Sequence, residues 1–429
     1  MPAPLTDAFA PALAPDLDAM EVERAGVAYR SALWAPERLG ALVEAIAKGA
    51  AALAALPEGR LAAAWGATVD AFLDPESPER CALDPALASL CRLSPQGLAA
   101  AFEAVLGGVR AEPFAALRAA ARERPPREGA DRPVLVVLAS NLPALAVQPL
   151  AGAVALGRPA LLKSPSSEPL FAPAFLAALA RREPAFGGAY AAATWPGGDV
   201  EIETPVLARA GRVLAYGDET ALADLERRAP GRVVAYGPKT SFAAIGREVD
   251  PGAVAAGLAR DVALFDQRGC LSIAAVFTAG SAAELAREIA ASLRELARAW
   301  PPGPADLGSL GAVRQLRLDA EMRGLVRHDL GLSEGTVVVE PEPRFAPSPG
   351  LRAVRIHPLG DLEAILPILA PWRVRLQGAA LAGAGAEALR PALAALGVSR
   401  FAAPGELQRP DASWHNGGIH PLDALSGTV

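Results

Sequence analysis

The sequence predicts an α/β protein built on parallel β-sheets and led by a helical N-terminal region. Three observations carry that reading. From residue 1 to about 125, Ala and Leu recur at three- and four-residue spacings with few β-branched runs. Beyond that point, short uninterrupted apolar runs alternate with helical stretches. Finally, Gly211-Arg-Val-Leu-Ala-Tyr-Gly217 recurs as Gly231-Arg-Val-Val-Ala-Tyr-Gly237, with a helical Thr220–Arg228 between the two copies. Buried parallel strands read as continuous apolar runs because both faces are covered, whereas half-exposed antiparallel strands alternate. A strand, a helix and a second strand in that order form one parallel crossover unit.

The elements follow in order. Arg38–Leu56, Leu98–Leu106 and Pro113–Ala121 carry the helical spacing, and the proline-bearing stretch Arg122–Arg132 closes that region. Val134–Leu138 and Ala160–Leu162 are the first two buried strands. In the tandem unit, Asp218-Glu219 starts the intervening helix, where acids suit the helix dipole. Ser272–Phe277 is expected as strand, Ala282–Ala299 as helix, and Thr336–Glu340 and Ala353–His357 as strands. Asp361–Leu366 and Ala386–Leu396 read as helical, Trp300–Gly308 as a surface loop and Val398–Ala402 as the last strand, with an irregular tail from Pro404.

Composition excludes several function classes. Lys and Arg total 41 against 47 Asp and Glu, a net charge of −6 with both signs scattered, so no basic stripe favours nucleic acid. Three cysteines in 429 residues cannot form a disulfide framework, and none has structural-zinc spacing. Pro133 to Gly157 is uncharged and longer than the ~20 residues of a spanning helix. Pro143 and Pro149 interrupt it, so a strand, a loop and a short helix are expected there instead. The early acids and the absence of a basic leader point to a cytoplasmic protein.

Individual residues offer chemistry beside ordinary readings. Cys270, in Asp-Gln-Arg-Gly-Cys-Leu-Ser, reads either as a small buried hydrophobe or as a thiolate nucleophile on a tight turn. Cys81 and Cys91 lack such a setting and are taken as structural. Asn141 is either a turn residue or one arm of an oxyanion hole. Lys163 ends a strand, where it is a solvated terminus or a ligand for ribose hydroxyls or phosphate. Trp195-Pro-Gly-Gly-Asp199 is a turn whose glycines would let a cofactor lie against backbone. Gly383-Ala-Gly385-Ala-Glu-Ala388 matches a dinucleotide fingerprint, but small residues arise readily in an Ala-Gly-rich chain. His415 and His420 lack a third nearby ligand, and no metal is expected.

Taken in sequence, Ser-Asn-Leu-Pro, Leu-Leu-Lys-Ser-Pro, Trp-Pro-Gly-Gly-Asp, Tyr-Gly-Asp-Glu-Thr, Tyr-Gly-Pro-Lys-Thr-Ser-Phe and Asp-Gln-Arg-Gly-Cys-Leu-Ser resemble the aldehyde dehydrogenase superfamily. More narrowly, with the tail through Trp414-His-Asn-Gly, they resemble the acyl-CoA reductase family that includes the reductase supplying aldehyde to bacterial luciferase. The resemblance covers about residues 130 to 425. It implies an aldehyde-dehydrogenase-like fold in four parts: a helical N-terminal region (1–130), a Rossmann-like parallel-sheet cofactor domain (131–236), an α/β catalytic domain (237–403) and a C-terminal tail (404–429). Cys270 would be the nucleophile and Asn141, with the Cys270 backbone N–H, the oxyanion hole. Lys163, Ser166, Gly197, Gly198, Gly217 and Gly237 would line the cofactor cleft.

Departures from the superfamily pattern sharpen the expectation. Ala235 stands where hydrolytic members carry a water-activating glutamate, and Ser166 where many NAD-preferring members carry an acid against the ribose 2′-hydroxyl. The glutamate that orients the nicotinamide ribose has no clear counterpart near Arg344–Ala346. The resemblance therefore implies an NADPH-dependent reductase, with NADH also possible, that converts an acyl-CoA or acyl-carrier thioester to an aldehyde. A homo-oligomer or a complex with an acyl-activating enzyme is compatible with it. An acyl-phosphate reductase and a non-catalytic binding subunit remain open as alternatives.

Overall fold

The computed structural model describes residues 4–124, 132–140 and 142–426. The chain opens on a hairpin, β1 (Ala19–Arg24) against β2 (Val27–Ala32), antiparallel, with Arg24 opposite Val27. The hairpin departs from the helical pattern expected from residue 1, while the rest of that region is helical as expected. Both turn residues, Ala25 and Gly26, have positive φ (50° and 76°), the geometry that matches the right-handed twist of a two-residue hairpin. Five helices follow: α1 (Pro36–Ala54), α2 (Glu58–Leu73), α3 (Pro78–Leu90), α4 (Pro95–Leu106) and α5 (Ala111–Arg122). Ser77 and Ser94 cap α3 and α4 by accepting from Arg80 N and Gly97 N.

Next comes a five-stranded parallel sheet, ordered β5-β4-β3-β6-β7. Its strands and helices alternate: β3 (Val134–Val137), α6 (Val147–Leu156), β4 (Ala160–Ser164), α7 (Phe171–Arg182), α8 (Ala185–Ala189), β5 (Tyr190–Thr194), α9 (Val200–Arg209), β6 (Arg212–Tyr216), α10 (Glu219–Arg228) and β7 (Val233–Tyr236). The tandem Gly-Arg-Val repeat is β6 and β7, paired from Val213↔Val233 to Tyr216↔Tyr236. The uncharged stretch after Pro133 divides, as its prolines require, into β3, turns and α6. No single helix among the described residues is long and apolar enough to cross a membrane.

At Gly237–Lys239 the chain passes to a seven-stranded sheet, ordered β10-β11-β12-β9-β8-β13-β14. Its members are β8 (Thr240–Ile245), β9 (Ile273–Thr278), β10 (Arg327–Asp329), β11 (Thr336–Val339), β12 (Ala353–Pro358), β13 (Leu376–Ala382) and β14 (Arg400–Ala402). All its pairs are parallel except β10 with β11. Helices α11 (Pro251–Ala263) and α12 (Ala282–Ala299) cover one face, and α13 (Leu307–Met322) covers the β11 edge. The tail is less irregular than its composition suggests. It closes in a helix, Pro421–Ser426, whose Leu422 and Leu425 are fully buried. A Cβ on Gly152 of α6 would meet Leu425 Cδ1 at 2.6 Å, so a larger residue there would require the leucine side chain to shift.

The N-terminal helices are fused to the first sheet through one aromatic cluster. Trp65 stacks on Phe114 (ring centroids 4.7 Å apart), and Phe175 of α7 contacts Trp65, Phe72 and Phe171 at 5.1–5.8 Å. Arg80, 1% exposed, lies 4.3 Å from the Phe102 ring and is neutralised by Asp84 at 2.6 Å. Trp65 Nε1 donates to Val109 O at 2.8 Å, so this packing leaves the indole satisfied. Truncating Phe175 to Ala opens a cavity at the junction and is expected to cost about 3–5 kcal/mol, read from the urea midpoint at unchanged slope.

Candidate active site

A cavity of about 730 Å³ lies at the seam between the two sheets. Its walls come from segments far apart in sequence. α4 contributes Ala104 and Val105, the β3–α6 segment Leu142, Leu145 and Gln148, the ends of β6 and β7 Tyr216 and Tyr236, and the tail Gln408, Trp414 and Asn416. Cys270 opens into it from the turn before β9.

The backbone leading to that sulfur is unusual. Phe265, Asp266 and Gln267 have φ of 57°, 50° and 65°, three consecutive non-glycine residues in the left-handed region. Each costs on the order of 1–2 kcal/mol relative to ordinary helical backbone, so surrounding bonds must over-determine the turn. They do. The Asp266 carboxylate accepts from Arg352 Nε and Nη2 at 3.0 and 2.7 Å and from Gly303 N at 2.9 Å. Arg352 is 1% exposed and also donates to Trp300 O at 2.8 Å. Gln267 Nε2 donates to Ile273 O and Ala353 O, and Ser348 Oγ donates to Gln267 Oε1. Arg268 donates to Phe265 O and to Cys91 O. Gly269 has no room for a side chain, because a Cβ there would stand 2.6 Å from Gln408 Oε1.

Cys270 itself is held by its carbonyl, which accepts from Ser241 Oγ of β8 at 2.9 Å. Burial pushes its thiol up to about 11, while the amide N–H groups of Cys270 and Leu271 and the Lys239 ammonium pull the other way. Among the described lining residues there is no histidine and no glutamate, and Asp218 is the one carboxylate. That carboxylate is engaged as the N-cap of α10, accepting from Ala221 N at 2.9 Å. Tyr216 stacks on Tyr236 (centroids 4.8 Å apart, planes at 19°), and burial pushes both phenols up, so both are neutral acids. Arg375 and Glu219 pair at 2.6 Å, linking the second sheet's approach to β13 with the first sheet's α10.

The structure separates the residues read from the sequence into two groups. Cys270, Gly217 and Gly237 line the cavity. Lys163, Ser166, Gly197 and Gly198 do not, but lie on the same carboxyl edge of the first sheet, after β4 and β5. Asn141 lies outside the described residues; its neighbours Ser140 and Leu142 both line the cavity. Ala235 pairs with Ala215 and is exposed on edge strand β7, so Tyr236 rather than Ala235 faces the cavity. Cys91 is buried and Cys81 exposed. The rings of His415 and His420 stand 5.0 Å apart, and no group of three or more His, Cys, Asp or Glu among the described residues is placed to hold a metal. Tyr216, Tyr236 and Lys239 were not singled out by sequence reasoning. Their signal was the twofold Ala-Tyr-Gly and the Pro-Lys after its second copy.

The carboxyl edge of the first sheet fits a dinucleotide in part. Lys163 is 7% exposed with its ammonium 5.2 Å over the Trp195 ring, and burial lowers its proton affinity. Ser164 Oγ, next along, is buried without a partner. Open space faces Gly197 and Gly198, and Gly198 holds φ +80°. Open sheets of this type bind ligands at such an edge. The N-terminus of α10, by contrast, is filled by Asp218 and so does not present its N–H groups to a phosphate.

Comparison with known proteins gives the family and the fold. The family model for acyl-CoA reductase (LuxC) matches residues 129–428. A long-chain acyl-protein thioester reductase from Aliivibrio fischeri is 24% identical over 239 residues, 54% of this chain; the chain spans about half the length of that relative. Aldehyde dehydrogenase 21 from Physcomitrella patens superposes with a TM-score of 0.74 at 15% identity, over 96% of this chain and 93% of its own. An NADP-dependent glyceraldehyde-3-phosphate dehydrogenase from Bacillus halodurans superposes with a TM-score of 0.68 at 15% identity, over 90% and 87%. At such identities these structures share the aldehyde-dehydrogenase-like fold.

Because Arg352 is the buried counter-charge of Asp266, Arg352→Met leaves a carboxylate stranded. The expected loss is about 3–5 kcal/mol of unfolding free energy, measured by denaturant titration.

Proposed function

The chain belongs to the acyl-CoA reductase (LuxC) family, and from that membership we propose that it reduces an acyl thioester to an aldehyde through an acyl group held on Cys270. The observation that carries the reading is the composition of the cavity: a cysteine at the end of an over-determined turn, with no histidine, no glutamate and no free carboxylate among its described walls. A base poised to activate water would divert an acyl-enzyme to acid, whereas its absence preserves the thioester for reduction. Apolar groups from α4 and from Leu142 and Leu145 provide a wall that suits an acyl chain.

A nicotinamide dinucleotide supplies hydride to the acyl carbon when bound. Lys163, Ser166, Gly197, Gly198, Gly217 and Gly237 are the residues proposed to hold it, along the first sheet's carboxyl edge. Ser166 is exposed in the turn after β4 and adds no negative charge there, which favours a 2′-phosphate and hence NADPH. Asn141, placed in sequence between two cavity residues, is proposed to hold the oxyanion together with the Cys270 N–H.

The test is a panel of acyl-CoAs with NADPH, followed at the nicotinamide absorbance, with Cys270→Ala as the control that should abolish turnover. Acid release in place of aldehyde would overturn the assignment. Asn141→Ala is expected to lower kcat by ~100-fold or more with folding retained. The ratio of kcat/KM for NADPH over NADH is expected to exceed about 1, because no acid at Ser166 repels the extra phosphate.

A further inference from the structure

The reading above leaves one chemical requirement unmet. Burial pushes the Cys270 thiol up to about 11 even with the Lys239 ammonium and two amide N–H groups pulling the other way, so the resting sulfur is thiolate in about one molecule in 10⁴ near pH 7. The thiolate is the nucleophile. Some group facing the cavity must therefore take its proton.

Few candidates face the sulfur. From the first sheet come Tyr216 and Tyr236, which stay neutral, and Asp218, which is committed to the α10 N-cap. From the cysteine turn comes Arg268, turned toward Phe265 O and Cys91 O. From the approach to β13 comes Arg375, paired with Glu219. An arginine does not release its proton in this range. Lys239 remains. It lines the same cavity as Cys270, immediately after the Tyr236-Gly237-Pro238 crossing. Ser241, two residues on, ties that segment to the Cys270 carbonyl at 2.9 Å. Nζ donates one proton to Val374 O at 2.8 Å, and an ammonium has two more to offer. Burial favours the neutral amine of Lys239 while the Cys270 sulfur favours the ammonium, and the ammonium in turn favours the thiolate.

Resting on that functional reading, we infer that Lys239 is the proton partner of Cys270, taking the thiol proton as the sulfur attacks and then protonating the carrier sulfur that leaves the acyl group. The steps balance. The proton passes from the Cys270 thiol to the Lys239 amine. The thiolate adds to the thioester carbonyl, the bond from sulfur to the acyl carbon forms, and the bond to the carrier sulfur breaks. The electron pair departs on the carrier sulfur, which takes the Lys239 proton and leaves as a free thiol. A solvent proton then restores the ammonium, so no neutral amine faces the acyl-enzyme. Hydride that a bound reduced nicotinamide would supply would reach the acyl carbon, and the resulting oxyanion would re-form a carbonyl, releasing aldehyde and the Cys270 thiolate. Thioester, reduced nicotinamide and one proton thus become aldehyde, thiol and oxidised nicotinamide.

The test follows the rate of iodoacetamide alkylation of the full chain between pH 6 and 10, below the thiol's midpoint, in a Cys81→Ser Cys91→Ser background. A cation beside the sulfur favours the thiolate, so removing it lowers the thiolate fraction at every pH in that range. Lys239→Met is expected to slow alkylation by about tenfold throughout the range, pH 7.5 included. Lys239→Arg keeps the charge and a near-parental alkylation rate but cannot give up its proton. In a single turnover with acyl-CoA and no nicotinamide, it should release free CoA thiol about tenfold more slowly. A Lys239→Met profile that superimposes on the parent overturns the proposal, as does parental thiol release by Lys239→Arg; the arginine variant carries the test alone if the methionine variant does not fold. Alkylation needs no substrate, so a shifted profile in a chain that reduces no thioester strikes only the proposed function. Full-rate thioester reduction by Lys239→Met strikes only the role of Lys239.

Discussion

The buried ion pair between Arg352 and Asp266 is the contact on which the turn before Cys270 depends. Three successive left-handed residues are a conformation that a chain does not hold unaided, and here they end one residue before Arg268-Gly269-Cys270. The pair does not stabilise the protein by attraction alone, because removing two charges from water offsets much of that gain. Its contribution is geometric. A carboxylate that must meet a fixed guanidinium and the Gly303 amide can sit in one place only, and the backbone that carries it is fixed accordingly. Gln267 and Arg268 repeat the device on the next two residues, each anchoring to carbonyls of a different segment. A cysteine is thereby presented at the lip of a strand with its own amide turned toward the sulfur.

The electrostatics of the cavity follow from what surrounds that cysteine. Stacked tyrosines, leucines and backbone make a weakly polar setting in which a bare thiolate is disfavoured. Acyl transfer and water exclusion thus pull against each other, since the same burial that protects a thioester from hydrolysis suppresses its formation. In the proposed role of Lys239, a single ammonium on a short turn answers both demands, because once it has regained its proton it adds a positive charge and is no base for water. The departure at Ala235 belongs to the same logic, although the structure places its methyl on the exposed side of β7 and gives the cavity-facing position to Tyr236.

Much of this architecture is legible in the sequence, and the rest is hidden for physical reasons. Strands such as Val134–Val137 and Arg212–Tyr216 are buried on both faces, so their apolar runs survive even in an Ala-rich chain. The hairpin at Ala19–Ala32 is hidden because its strands are six residues each, β1 is mostly exposed with Glu21, Glu23 and Arg24, and only β2 alternates between buried and exposed positions. The closing helix Pro421–Ser426 is one and a half turns long and is specified by tertiary docking rather than periodicity. Cys270 and the glycines after the first-sheet strands could be found because motif order exposes them. The roles of Tyr216, Tyr236 and Lys239 could not, because they depend on which end of one sheet meets which turn of the other.

The setting of the sulfur is assembled from segments remote in sequence: Arg268 reaches back 177 positions to Cys91, Asp266 forward 86 to Arg352, and Ser272 forward 136 to Gln408. Long-range closures of this kind are entropically late events in folding. A nascent or partly folded chain thus carries Cys270 as an ordinary thiol, without its turn, the nearby Lys239 or its apolar wall. The surroundings that push its proton affinity up, and the turn that presents it to the cavity, are therefore properties of the finished fold and of no shorter piece of chain.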